Sequence, residues 1–222
     1  MADAVGPQGH VLGIDISEDL LVFAKERNNR DWLEYWIGDA RALPVDDHTF
    51  DVAVSAQVLE YVDDPDRAIS EMFRILKPGG RALIMNTDWD RIAWYSDDPI
   101  RMMKVRRAWE AHCVHPRLPQ TLTRRLRNAG FEIVAATTFP IINTRAASDT
   151  FSSGLIDLIV AFVAEQETVA REELDAWAAE LRALSTDGRY FFTTTRCFFR
   201  TRKPAQADDE YLASTLDASH ET

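Results

Sequence analysis

Three points in the chain put a polar side chain directly after a run of apolar residues. "VLGID" ends in Asp15, "WLEYWIGDA" ends in Gly38-Asp39-Ala40, and "FDVAVSAQ" ends in Ser55 and Gln57. Short apolar runs of this kind read as buried strands. Open α/β sheets bind ligands at the carboxyl edges of their strands. A carboxylate placed there can accept hydrogen bonds from both hydroxyls of a ribose, and charge-assisted bonds are the stronger ones. Each signal alone is weak. An aspartate at a strand end also serves as a cap or turn residue, and Gly-Asp is an ordinary turn. The ordered set of three is much more specific.

The elements that must position these groups are legible around them. Residues 10–16 read as a first strand. Ser17 caps the helix that follows, with Glu18 and Asp19 in its first turn, where acidic residues favour the helix dipole. That helix should end near Asn28–Asn29. A second short strand lies within 32–40, and a third covers 50–57. Residues 63–80 form a helix with Asp64 as cap, Pro65 in the first turn and Gly79-Gly80 as its stop. A fourth strand, "RALIMNT", covers 81–87. The order βαββαβ, with continuous apolar strands and amphipathic helices, predicts a parallel sheet covered on both faces. Helices are expected at about 100–112 and 119–129, the second closing at Gly130. A fifth strand is expected at 131–139, and further helices at 152–166 and 171–185. The long aromatic, β-branched run 190–203 reads as a last strand, antiparallel and at the sheet edge. The stretch "GLIDLIVAFVA" is apolar nearly all round, which suits a buried helix or a subunit interface. Residues 204–222 are acidic and polar, and are expected to form a disordered tail.

The totals narrow the function. The chain has 222 residues, with 25 Lys+Arg against 36 Asp+Glu, for a formal net charge of −11. This argues against a nucleic-acid or anionic-membrane partner, because phosphate binding needs a basic surface. It leaves a small-molecule substrate open. Cys113 and Cys197 are far apart and lack metal-site spacing, which reads as reduced thiols and a cytoplasmic protein. No apolar run reaches membrane-spanning length, and no signal-peptide pattern stands at the N-terminus.

The stretches "HVLGIDIS" and "WIGDARALPVDDHTFDVAVSAQVLEYVDDPDRAISEMFRILKPGGRALI" resemble the class I S-adenosylmethionine-dependent methyltransferases, in the small-molecule branch that includes the quinone C-methyltransferases. The resemblance covers residues 5–87 tightly, and 120–140 and 190–203 loosely. It implies a Rossmann-like α/β domain over residues 1–203, mostly parallel, with helices on both faces and helical lid additions at about 88–118 and 151–186. It implies S-adenosylmethionine as cofactor. Asp15 would take both ribose hydroxyls and Ile16 would pack on the adenine. Asp39, after Gly38, would take the adenine amino group, with the Ala40 backbone at a ring nitrogen. Ser55 and Gln57 would lie near the methionine part. Tyr61 stands where this family often has histidine.

The resemblance also carries a departure. The family opens with a strand that runs into a glycine-rich loop, whereas "DAVGPQGHV" matches only the end of the following helix. None of the nine glycines forms such a loop before Asp15. In the family's order the strand concerned is central, between "VLGIDIS" and "FDVAVS". The expectation is therefore two rows of unpaired backbone groups facing a slot. A later-than-true start, a shortened protein that binds cofactor poorly, or a strand from a second copy or a partner chain would each account for it. The alternatives to methyl transfer are a non-catalytic partner or scaffold protein, and a cyclase or isomerase on the same fold.

Methyl transfer from a sulfonium asks the protein mainly for alignment. A base is needed only where the nucleophile carries a proton. His112 and His115 have i, i+3 spacing, but Pro116 ends any helix there and no carboxylate completes a metal set. His112 is the first candidate for a base. Asp88, Trp89, Trp94 and Tyr95 follow the fourth strand, where substrate would lie. They form either an aromatic lid or the packing of a connecting segment.

Overall fold

The computed structural model describes residues 1–28 and 30–205. Asn29, and the expected tail from residue 206 on, lie outside the described residues. A one-turn helix α1 (Ala2–Val5) is followed by β1 (Val11–Asp15), α2 (Glu18–Arg27), β2 (Leu33–Ile37), β3 (Phe50–Ala56), α3 (Pro65–Ile75) and β4 (Leu76–Thr87). The second half holds β5 (Ala93–Trp94), α4 (Pro99–Trp109), α5 (Leu118–Asn128), β6 (Glu132–Asn143), α6 (Phe151–Glu165), α7 (Arg171–Thr186) and β7 (Phe192–Arg202). Ser17, Asp64 and Asp98 cap α2, α3 and α4 through bonds from the backbone N–H groups of Leu20, Arg67 and Arg101. Each such cap is worth about 1 kcal/mol.

The strands form two sheets. β1 and β2 pair in parallel, from Val11 opposite Leu33 to Asp15 opposite Ile37. The larger sheet runs β3-β4-β7-β5, with β6 also on β7. β3 and β4 are parallel, while β7 runs antiparallel to β4, β5 and β6. Every strand of the larger sheet except β7 therefore points the same way. This is the expected Rossmann-like α/β fold with its mostly parallel strands. Among the described residues β1 pairs only with β2, and β3 only with β4. The open side of β3 leaves Val52 and Val54 45% and 39% exposed, unlike a strand inside a covered sheet.

Three expectations are corrected. β7 is antiparallel but not an edge strand, because β4 pairs along one side of it and β6 along the other. β6 is longer than 131–139 and runs through Pro140. It tolerates a residue without N–H because it pairs with β7 alone, so one of its sides needs no donor. α3 stops at Ile75, well before Gly79-Gly80. Pro78 pushes Lys77 toward extended backbone. The last carbonyls of the helix are taken by outside donors: His48 N–H bonds Arg74 O, and Thr49 N–H bonds Ile75 O. Lys203 Nζ donates to the carbonyls of Phe73 and Leu76, each at 2.8 Å.

Two apolar clusters hold these layers. One joins α3 and α5 to β4 through Ala68, Ile69, Leu76, Ile84, Leu122 and Leu126. The other joins α4, α6, α7 and β7 through Val105, Trp109, Ile156, Leu174, Trp177 and Phe192. The helical additions thus have a core of their own, and the apolar helix α6 is buried between α4 and α7, with Leu158 left at the surface. No described helix is long and apolar enough to cross a membrane.

Candidate functional site

The carboxyl edge of the small sheet brings the first two candidates together. Asp15 closes β1, and its Oδ1 accepts the Ser17 N–H at 2.9 Å. Gly38 N–H donates to the Asp15 carbonyl at 3.0 Å, so the two strand ends are locked side by side. Glycine is required at 38 by space: a Cβ there would meet Ile14 Cγ2 at 2.8 Å and Pro44 Cδ at 3.0 Å. Ile16 follows with 73% of its surface exposed, free to cover a flat ligand face. Asp39 stands at the end of β2 with its carboxylate already bonded. Arg41 holds both its oxygens, through Nε at 3.1 Å and Nη2 at 2.7 Å, and the Arg41 N–H adds a bond at 2.8 Å. Those bonds hold the Asp39 carboxyl below its usual pKa.

The loop that carries Asp39 and Ala40 is bolted to α3. Buried Glu71 accepts the Leu43 N–H at 2.8 Å. Arg74 donates to the carbonyls of Val45 and Leu43 and to both Glu71 oxygens. Ala40 itself packs against the cluster beneath β4. This loop fastens the small sheet to the large one, together with His10 stacked on Phe50. The Arg74 bonds hold the Glu71 carboxyl below its usual pKa despite burial.

Ser55 and Gln57 sit on the other sheet. Ser55 lies opposite Ile84, and its hydroxyl is buried without a hydrogen-bond partner. Gln57 turns the chain out of β3 with φ of 54°, its N–H on Met85 O and its side-chain amide donating to Thr87 Oγ1 at 3.0 Å. The candidates thus form two pairs at strand ends, one on each sheet. Two concavities among the described residues lie elsewhere: one of about 300 Å³ against α2 and β2, and one of about 420 Å³ beside residues 114–118.

Residues 1–84, which carry both pairs, match the family model described as a methyltransferase domain. The resemblance to class I S-adenosylmethionine-dependent methyltransferases of the quinone-methyltransferase type is borne out. A demethylmenaquinone methyltransferase of Bacillus cytotoxicus is 39% identical over 90 residues, which is 39% of this chain and 38% of that protein. An uncharacterized 37.1 kDa transposon protein of Streptomyces fradiae is 34% identical over 139 residues, 60% of this chain and 39% of that one. The chain spans about two fifths of the length of these curated relatives. A solved structure from Bacillus halodurans, proposed to be a methyltransferase, shares the fold at TM-score 0.59 and 21% identity, over 88% of this chain and 84% of that one.

Past β4, the chain spreads its aromatic candidates over different tasks. Trp94 is in the second core, with Nε1 on the Tyr190 hydroxyl at 3.0 Å and its ring against Trp177 and Phe192. Tyr95 is at the surface, where its hydroxyl donates to Asp97 and receives Arg189. Asp88 is buried, and burial raises its carboxyl pKa. Gln120 Nε2 donates to its Oδ1 at 3.5 Å, and Arg91 Nε lies 3.3 Å from its Oδ2. Trp89 is buried edge-on to Trp109 and to His112. His112 stacks on Trp109 with ring centres 3.8 Å apart. The two histidines separate: His115 Nε2 reaches Asp63 O at 3.2 Å. Among the described residues no group of three or more His, Cys, Asp or Glu side chains could hold a metal ion.

His112 Nδ1 lies 2.6 Å from the Trp109 carbonyl. A carbonyl only accepts, so Nδ1 carries the hydrogen and Nε2 is a bare lone pair. Nε2 is buried and unpartnered. Burial lowers the imidazole pKa to about 4, so the ring is neutral near pH 7.

Sequence reasoning missed Glu60. It is fully buried, as is Asn86, whose side-chain amide makes a short bond to Glu60 Oε2. Asn86 Oδ1 has no partner. Burial raises the Glu60 pKa against the Asn86 amide, the Glu60 and Thr87 backbone N–H groups and the Trp89 indole. Burial and the Glu60 charge together push Tyr61 and Cys113 up to about 12. The available signal was one charged residue inside the apolar run "VLEYV".

Proposed function

We propose that this chain binds S-adenosylmethionine at the carboxyl edges of β1, β2 and β3 and directs its methyl group to a small, hydrophobic acceptor. The observation that carries the reading is Asp15 locked beside Gly38 at two adjacent strand ends within the segment that matches the methyltransferase family. The fit of this chain's residues to the cofactor is uneven. Asp15 keeps Oδ2 for a ribose diol while Oδ1 holds the Ser17 turn. Ile16 has an open face for the adenine. Ser55 has a buried hydroxyl that needs a partner, near where the amino-acid end would lie. Asp39 must release an Arg41 bond before it can accept the adenine amino group.

When bound, the sulfonium supplies an already activated methyl carbon. The protein's own share is then orientation and exclusion of water, worth roughly 7–11 kcal/mol in good cases. The demethylmenaquinone methyltransferase relatives support a small, apolar acceptor. We place the protein in the cytoplasm, on the two free thiols of Cys113 and Cys197.

Calorimetric titration with S-adenosylhomocysteine tests the reading. Micromolar binding that Asp15→Ala abolishes is the expected result. No heat at millimolar ligand would instead favour a non-catalytic partner protein, a second reading suggested by the missing ladder between β1 and β3.

A further inference from the structure

A carboxylate offers about four lone-pair directions, and Arg41 takes up those of Asp39. The Arg41 backbone N–H and Nε reach Oδ1 at 2.8 and 3.1 Å, and Nε and Nη2 reach Oδ2 at 3.1 and 2.7 Å. The backbone of this turn is held separately. Ala42 N–H bonds Asp39 O at 2.9 Å, and Arg67 Nε, from α3, donates to Arg41 O at 3.1 Å. The side chain of Arg41 can therefore swing while its backbone stays. A second acid stands within its reach. Nη1 lies 3.6 Å from Oδ2 of Asp63, whose side chain is 79% exposed just before the Asp64 cap of α3. One guanidinium thus lies between two carboxylates, chelating the first and at ion-pair distance from the second.

We infer that Arg41 is a latch on the nucleoside end of the site: it covers Asp39 until an adenine amino group takes its place, and then turns onto Asp63. The inference rests on the cofactor reading for the identity of the displacing group. Arg41 is a positioning residue, acting through Asp39. The exchange conserves charge pairing. The guanidinium leaves one carboxylate for another, and the freed carboxylate accepts an amino N–H. No ion is stranded away from water, because the side chains of Arg41 and Asp39 are 39% and 34% exposed. A pair this exposed is weak and screened by salt, so the latch costs a few-fold in affinity rather than orders of magnitude. It also selects the base. A ring with a carbonyl at the amino position brings an acceptor where Asp39 needs a donor, and leaves Arg41 in place.

The test is calorimetric titration of the whole chain with S-adenosylhomocysteine and with its 6-oxo analogue, S-inosylhomocysteine. Arg41→Met keeps an apolar stem and removes the latch, and should bind S-adenosylhomocysteine about threefold to fivefold tighter than the parent. Its affinity for the 6-oxo analogue should not rise. Arg41→Lys keeps the charge without the chelate and should fall between the two. Asp63→Asn removes the receiving carboxylate, and should weaken S-adenosylhomocysteine about twofold in the parent but not in the Arg41→Met background. Raising salt from about 50 to about 500 mM should tighten binding by the parent and leave Arg41→Met unmoved. Equal or weaker binding by Arg41→Met, or an Asp63→Asn effect of the same size in both backgrounds, overturns the latch. Should Arg41→Met fail to fold, Arg41→Lys and the salt series on the parent decide alone. Equal affinities in the parent and Arg41→Met remove the latch and keep the cofactor reading. Binding by neither removes both, and binding by Arg41→Met alone supports both.

Discussion

Arg74 is where one substitution should act on both stability and the site. Its guanidinium donates to both Glu71 oxygens at 2.8–2.9 Å and to the carbonyls of Val45 and Leu43 at 2.6 and 3.0 Å. Arg74→Met keeps the apolar stem and deletes all of these donors. Glu71, with 7% of its side chain exposed, is then left charged without its main partner. Breaking a buried pair in this way costs about 3–5 kcal/mol. Arg74 is 29% exposed, so water can reach the vacated region and the lower figure, about 3 kcal/mol, applies. For a chain of this length that corresponds to a fall of about 6–12 °C in Tm. The orphaned charge makes a second expectation. Adding Glu71→Gln to Arg74→Met removes that charge while keeping an oxygen for the Leu43 N–H, and should return a part of the loss, with a coupling of about 0.5–3 kcal/mol. The assay is thermal unfolding for Tm, and urea unfolding for the coupling, of the parent, both single variants and the double variant. A Tm loss under about 2 °C for Arg74→Met, or strictly additive effects in the cycle, would refute the view that this pair fastens the Asp39 loop.

Further expectations follow from the buried acids and the tight turn. Arg74 holds the Glu71 pKa below its unfolded value, so this group stabilises fully above about pH 4.5 and loses its contribution as pH falls through the lower folded value. Glu60 is opposite in sign. Its folded pKa is raised, so its neutral form fits the fold and stability is lost as pH climbs from about 4.5 through the raised value. Glu60→Gln should therefore raise Tm near pH 7.5 relative to the parent and change it little near pH 4, a comparison that differential scanning calorimetry in two buffers settles. Gly38→Ala inserts a methyl 2.8 Å from Ile14 Cγ2, and should cost about 1–3 kcal/mol by overpacking while also weakening S-adenosylhomocysteine in calorimetry. An unaltered Tm and affinity in that variant would show that the β1–β2 ends can separate freely.

The sequence made the local signals plain wherever a single residue type has a single use. Ser17, Asp64 and Pro65 marked helix starts that the structure keeps, because caps and proline act through their nearest neighbours. The apolar runs gave β1 and β3 nearly to the residue, and β4 its end but not its start at Leu76. What could not be read depends on partners distant in the chain. Nothing within "CFFRTRK" says that β6 will lie along its far side, so β7 looked like an edge. Nothing near Asp39 other than Arg41 itself, two residues on, warned that its carboxylate is already taken. Glu60 was overlooked because its meaning comes from Asn86, 26 residues away. His112 was singled out for its type, but its tautomer follows only from the Trp109 carbonyl.

The interruption between the β1–β2 pair and the larger sheet has a dynamic consequence. With no rungs crossing it, the amide protons of Val11–Asp15 and those of Phe50–Ala56 should exchange with deuterium on separate clocks. A nucleoside held at once by Asp15 and by the Ser55 end of β3 would act as a brace across the seam and bring the two clocks into step.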